Sequence, residues 1–181
     1  MDAARKRTVL LGLAFLSLLL LASFENTVFF TTLRAVLQNQ FLAVGMLFIH
    51  NVLVISLILL GISFYVNLVV SNFFKHEKYS HIVLEHPRIF ALVFTFIIVF
   101  LSILRGGTLI QGGILLETLP LILLISTPVG LIEGYGIYFT IKKTLSRTLS
   151  TRDLIYIYGI FLIAAVIEVA FISILITVLK G

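Results

Sequence analysis

The chain is 181 residues long, 60% hydrophobic and only 12% charged, with a mean hydropathy of +1.19 and a net charge of +5. That balance excludes an ordinary water-soluble domain and reads as an integral membrane protein. The absence of cysteine removes disulfides, thiolate metal sites and thiol nucleophiles; the basic residues stand in short clusters beside apolar runs, which suits lipid headgroups and not nucleic acid.

Residues 1–181 read as one all-α domain, a polytopic transmembrane helical bundle of about five spans. The first apolar segment, about residues 8–24, follows Arg5-Lys6-Arg7. Leu20-Leu21-Ala22-Ser23 loosely resembles a leader cleavage site, but an apolar run of about 17 residues approaches spanning length, and it is read as a retained anchor. Residues 25–40 are more polar and are expected to form an extra interfacial or re-entrant piece. The second segment, about 41–74, is too long for a perpendicular crossing and is expected to tilt, kink near Gly61 or continue along the interface.

The third segment, about 89–104, is short, rich in Phe and β-branched residues, and ends at Arg105-Gly106-Gly107. Together with Gln111-Gly112-Gly113, that glycine-rich run predicts a turn between antiparallel helices, with 105–116 as a second interfacial or re-entrant candidate. The fourth segment, about 114–141, contains Pro120 and Pro128. Each removes a backbone donor, so a kinked or broken fourth helix is expected. The fifth runs from about 154 to 179.

Lys and Arg orient the bundle. Arg5, Lys6, Arg7, Lys75, Lys78, Arg88, Lys142, Lys143, Arg147 and Arg152 fall on one side of a five-span bundle, and only Arg34, Arg105 and Lys180 on the other. The positive-inside rule then predicts a multi-pass protein of the cell membrane with a cytoplasmic N-terminus and an external C-terminus.

The leads to function are the ionisable and polar residues inside the apolar segments: Glu117, Glu133, Glu168, His50, Asn51, Asn67 and Arg105. A carboxylate at mid-membrane costs roughly 2.5–3.5 kcal/mol on insertion scales and so faces a partner, a water pocket or a path. Counting depth along each helix predicts two levels. Glu117, His50, Asn51 and Glu168 share the outer half, with Arg105 and Arg34 as countercharge; Glu133, Asn67 and Asn72 belong to the inner half.

Plainer roles compete at each position. Glu117 also suits a first helical turn, where the dipole favours a carboxylate. Glu133 precedes Gly134 and Gly136, which let a second helix approach and accept a structural hydrogen bond. Glu168 lies among apolar and small residues on both sides. His76, His81 and His86 are five residues apart, a spacing that does not stack on one helix face, so no metal is expected. No Gly-x-Ser-x-Gly elbow or dinucleotide fingerprint occurs, and neither an enzyme nor a cofactor is expected.

Phe48-Ile49-His50-Asn51-Val52, with Gly61 and Asn67 downstream, and Gly113-Ile114-Leu115-Leu116-Glu117-Thr118-Leu119-Pro120 with Gly130, resemble the integral membrane family of stage II sporulation protein M. The resemblance covers most of the chain from Phe41 onward. It implies family-motif positions at Asn51, Gly113, Glu117 and Pro120. Where the later motif often carries a histidine before its glycine, this chain has Gly112, and no histidine role is carried over. The resemblance further implies a polytopic helical protein that works in a complex in sporulating bacteria and is small and of unassigned activity in archaea.

Two functional expectations follow. One is a non-enzymatic membrane scaffold or complex subunit, bound by the lipid bilayer and a membrane-protein partner. It would self-associate as a homodimer through small residues at Gly130, Gly134, Gly136, Ala164 and Ala165. The alternative is a small transporter or channel whose glutamates move a proton, an ion or a solute.

Overall fold

The computed structural model describes residues 3–36, 39–70, 82–111 and 119–180, and their regular structure is helical: α1 (Ala3–Val36), α2 (Gln40–Val70), α3 (Ile82–Glu85), α4 (Pro87–Gln111), α5 (Leu119–Leu145) and α6 (Thr151–Lys180). Three stretches, Lys6–Phe29, Gln40–Val70 and Thr151–Ser173, are long and apolar enough to cross a membrane. They point to a membrane location. Large apolar side chains also face outward, among them Leu10 and Leu20 on α1, Leu92 and Phe96 on α4, and Ile155 and Ile163 on α6. A chain dissolved in water could not leave that much hydrocarbon uncovered.

Helix continues through several of the polar and glycine-rich stretches. α1 is one helix of 34 residues, and 25–36 continue it without a break. The hydroxyls of Thr27 and Thr32 donate to the carbonyls of Ser23 and Val28, four residues back, at 3.1 and 2.8 Å. Polar side chains satisfied by their own helix need not end it. α2 is helical through Gly61 and α5 through Pro128, and α4 is helical through Arg105-Gly106-Gly107, where a turn was expected; residues 112–116 of that expected turn lie outside the described residues.

The glycines serve packing instead. A side chain at Gly12 would meet the ring of Phe64 at 3.0 Å, and one at Gly61 would meet Phe15 at 3.0 Å. α1 and α2 therefore cross by seating each helix's ring on the other's glycine, and the rings stack with centroids 6.5 Å apart. Gly130 and Gly134 do the same for Val99 of α4, and Gly136 for Phe161 of α6. In lipid, where the hydrophobic effect does not draw helices together, such close approach is what packing has to offer.

α2, α5 and α6 pack pairwise around a common core, with α1 against α2 on one side and α4 against α5 on the other. Ile55, Ile141 and Ile157 lie fully buried where the three central helices meet. A second cluster, Phe29, Ala43, Leu47, Ala165 and Val169, joins α1, α2 and α6. Successive long helices are antiparallel, so the starts of α1, α4 and α6 and the ends of α2 and α5 share one end of the bundle, here the Arg7 end.

The tight connections are capped as their sequences dictate. Asn39 Oδ1 accepts from the amides of Phe41 and Leu42 at 3.1 and 3.3 Å and starts α2. Ser150 and Asp153 form a reciprocal box at the start of α6: the Ser150 amide and hydroxyl donate to the carboxylate at 2.9 and 2.7 Å, and the Asp153 amide donates to Ser150 Oγ at 3.2 Å. Lys143 of α5 reaches the same carboxylate at 3.2 Å. α5 ends on Arg147 with φ of 54°, the left-handed position that normally takes glycine and that costs another residue about 1 kcal/mol.

Candidate functional site

A band of polar side chains crosses the middle of the bundle, organised by two consecutive residues of α2. Adjacent positions on a helix point about 100° apart, so His50 and Asn51 address different neighbours. His50 faces α1, where its Nδ1 lies 3.0 Å from Glu25 Oε2. Phe29, one turn beyond Glu25 on the same face, stacks on the imidazole with centroids 4.5 Å apart. The Glu25 and His50 side chains are only 17% and 20% exposed. A carboxylate on Nδ1 fixes the orientation of the ring whether His50 is neutral or charged.

Asn51 faces α5. Its Nδ2 donates to Glu133 Oε1 at 3.1 Å, and Asn51 itself is buried. Gly134, next along α5, faces another neighbour and is packed against Val99 and Thr95 of α4. Gly136 against Phe161 and Lys143 against Asp153 set the register of α5 on α6. That register puts Glu168 about one and a half turns away from Glu133, level with Pro128 and further from the Arg7 end. Glu133 and Glu168 are close enough to repel each other when both are ionised. Glu168 is half-buried and, among the described residues, has no hydrogen-bond partner.

Two further polar contacts tie α2 to α6 above and below this band. Gln40 Nε2 donates to Ser173 Oγ at 3.3 Å, and the hydroxyls of Ser56 and Tyr158 are 3.1 Å apart. α2 thus carries a polar link to each of α1, α5 and α6.

The structure brings together four of the residues that the sequence singled out, His50, Asn51, Glu133 and Glu168. Glu133, expected in the inner half with Asn67, pairs with Asn51 instead; α2 and α5 run the same way, so these two residues lie at nearly equal depth. Asn67 instead donates from Nδ2 to the Ser63 carbonyl of its own helix at 2.8 Å and lines a pocket at the Arg7 end. Arg105 falls near the end of α4 and Pro120 in the first turn of α5; Glu117 and Gly113 lie outside the described residues.

Glu25 was missed. The polar composition of residues 25–40 separates them from the first apolar segment in sequence, whereas Glu25 and Phe29 share one face of an unbroken α1. Extending the helix over Asn26-Thr27-Val28-Phe29 would have aimed that face at His50. The small residues offered for self-association are also used otherwise: Gly130, Gly134 and Gly136 pack inside the chain, and Ala164 and Ala165 are completely buried. Among the described residues no three His, Asp or Glu side chains converge.

No protein-family model, curated protein or solved structure matches the chain.

Proposed function

We propose that the protein is a non-enzymatic membrane scaffold or subunit of a membrane complex, and that it self-associates. The observation that supports this most is the use made of the polar band: Glu25 with His50 and Asn51 with Glu133 each tie two helices together. Glu168 alone is left without a donor in its own chain among the described residues. A carboxylate in an apolar surround calls for a donor from elsewhere, and a neighbouring membrane helix supplies one. The exposed apolar side chains of Ile163, Val166 and Ile167 around it give that helix a surface to lie on.

In this reading the bundle has five spans, α1, α2, α4, α5 and α6, with the N-terminus cytoplasmic and the C-terminus outside, and α5 kinks at Pro128. The likeness of Asn51, Gly113, Glu117 and Pro120 to the stage II sporulation protein M pattern agrees with a complex-forming protein. Native mass spectrometry of the protein taken from its own membranes in mild detergent tests the proposal. A stoichiometric second protein or a homo-oligomer, lost in Glu168→Gln, is the expected result. A monomer whose state is unchanged by the substitution counts against it.

One observation favours a second reading, a small transporter or channel. Glu133 and Glu168 place two mutually repelling carboxylates at neighbouring depths, an arrangement that holds a shared proton or a cation. Vesicles reconstituted with the protein would then show a proton or cation flux, and full flux in Glu133→Gln and Glu168→Gln would exclude these residues from the path.

A further inference from the structure

At the Arg7 end a polar pocket of about 400 Å³ opens between the start of α1, the end of α2 and the α5–α6 turn. Arg7 and Arg147 enter it from different elements, joined by Ser63, Asn67 and Thr144. Among the described residues no acidic side chain lines the pocket and neither arginine has an ion-pair partner. The Asn67 amide nitrogen and the Thr144 hydroxyl already donate to carbonyls of their own helices, at 2.8 and 2.7 Å. The free hydrogen-bonding capacity is therefore dominated by two guanidinium forks, whose geometry matches phosphate oxygens.

Arg147 reaches this position from a left-handed backbone with φ of 54°. Glycine would end α5 there without strain, so the sequence keeps an arginine where the backbone disfavours one. Strain of this kind is characteristic of residues held for their side chain.

We infer that this pocket binds a phosphate group carried by an anionic phospholipid, with the phosphate between Arg7 and Arg147. The inference is independent of whether the protein is a scaffold or a transporter, and rests only on its lying in a membrane with the Arg7 end at a headgroup layer. Juxtamembrane arginines on the cytoplasmic side meet an anionic leaflet. The pocket adds a specific seat to that general attraction.

The test is native mass spectrometry of the full chain in detergent, titrated with phosphatidylglycerol, with phosphatidylcholine and with inorganic phosphate. Phosphatidylglycerol is expected to bind one to one and about tenfold more tightly than phosphatidylcholine. Arg147→Gly and Arg7→Gln are each expected to reduce that preference to near unity. Arg147→Gly is the decisive variant, because it removes the guanidinium while giving the left-handed turn the residue it prefers; its melting temperature should hold or rise. Equal binding of the two lipids, or a preference unchanged in Arg147→Gly, would overturn the site. Saturation by inorganic phosphate with no retained lipid would overturn the lipid assignment and make the ligand a soluble phosphate compound.

Discussion

Asn51 on α2 donates a hydrogen bond of 3.1 Å to the carboxylate of Glu133 on α5, joining two parallel-running helices near the middle of the bundle. The amide is the sole hydrogen-bond donor to that carboxylate among the described residues. Removing it leaves a charge-bearing group in an apolar surround, whereas Glu133→Gln retains an oxygen to accept the bond. Asn51→Leu should lower thermal stability in detergent by about 1–3 kcal/mol, and Glu133→Gln by much less. A double-mutant cycle on Asn51→Ala and Glu133→Ala should return a coupling of about 0.5–2 kcal/mol; a coupling near zero would mean the contact holds nothing.

Glu168 behaves in the opposite way. It donates to and accepts from nothing among the described residues and lies within reach of the Glu133 charge. Glu168→Gln should therefore leave the melting temperature of the isolated chain unchanged or slightly raised, while altering its assembly state. Loss of monomer stability would show instead that Glu168 is an internal clamp.

Gly136 and Gly45 make a matched pair of helix glycines. A methyl at Gly136 would meet the Phe161 ring at 2.7 Å, whereas nothing lies within 4 Å of one at Gly45. Gly136→Ala should destabilise the α5–α6 pair by about 1–3 kcal/mol through overpacking. Gly45→Ala should stabilise α2 by about 0.5–1 kcal/mol by removing backbone freedom. Thermal unfolding of the two variants side by side separates packing from propensity; similar melting temperatures would refute the close crossing.

His50 and Glu25 give a parallel case on the other side of α2. Glu25→Leu removes the group that orients the imidazole at 3.0 Å, and should weaken the α1–α2 pair by about 0.5–2 kcal/mol. Glu25→Gln keeps an acceptor for Nδ1–H and should cost less. Proteolytic accessibility of α1 in detergent reads the difference, and equal protection of both variants would assign the cohesion to the ring contacts alone.

Composition and apolar runs determined the class of this protein from sequence alone: helical, membrane-located, with polar residues in hydrocarbon stretches as the features to explain. His50, Asn51, Glu133 and Glu168 were legible for the same reason, since the cost of burying a polar group makes each conspicuous in an apolar run. What only the tertiary structure decided is which of them meet. The register of one helix on another sets relative depth, and the rotation of a helix about its axis, which sends His50 to α1 and Asn51 to α5, is set by how neighbouring glycines and rings fit. Those fits, Phe15 on Gly61, Phe64 on Gly12 and Phe161 on Gly136, arise between residues 25 to 52 positions apart in the chain, and no local pattern in the sequence encodes them.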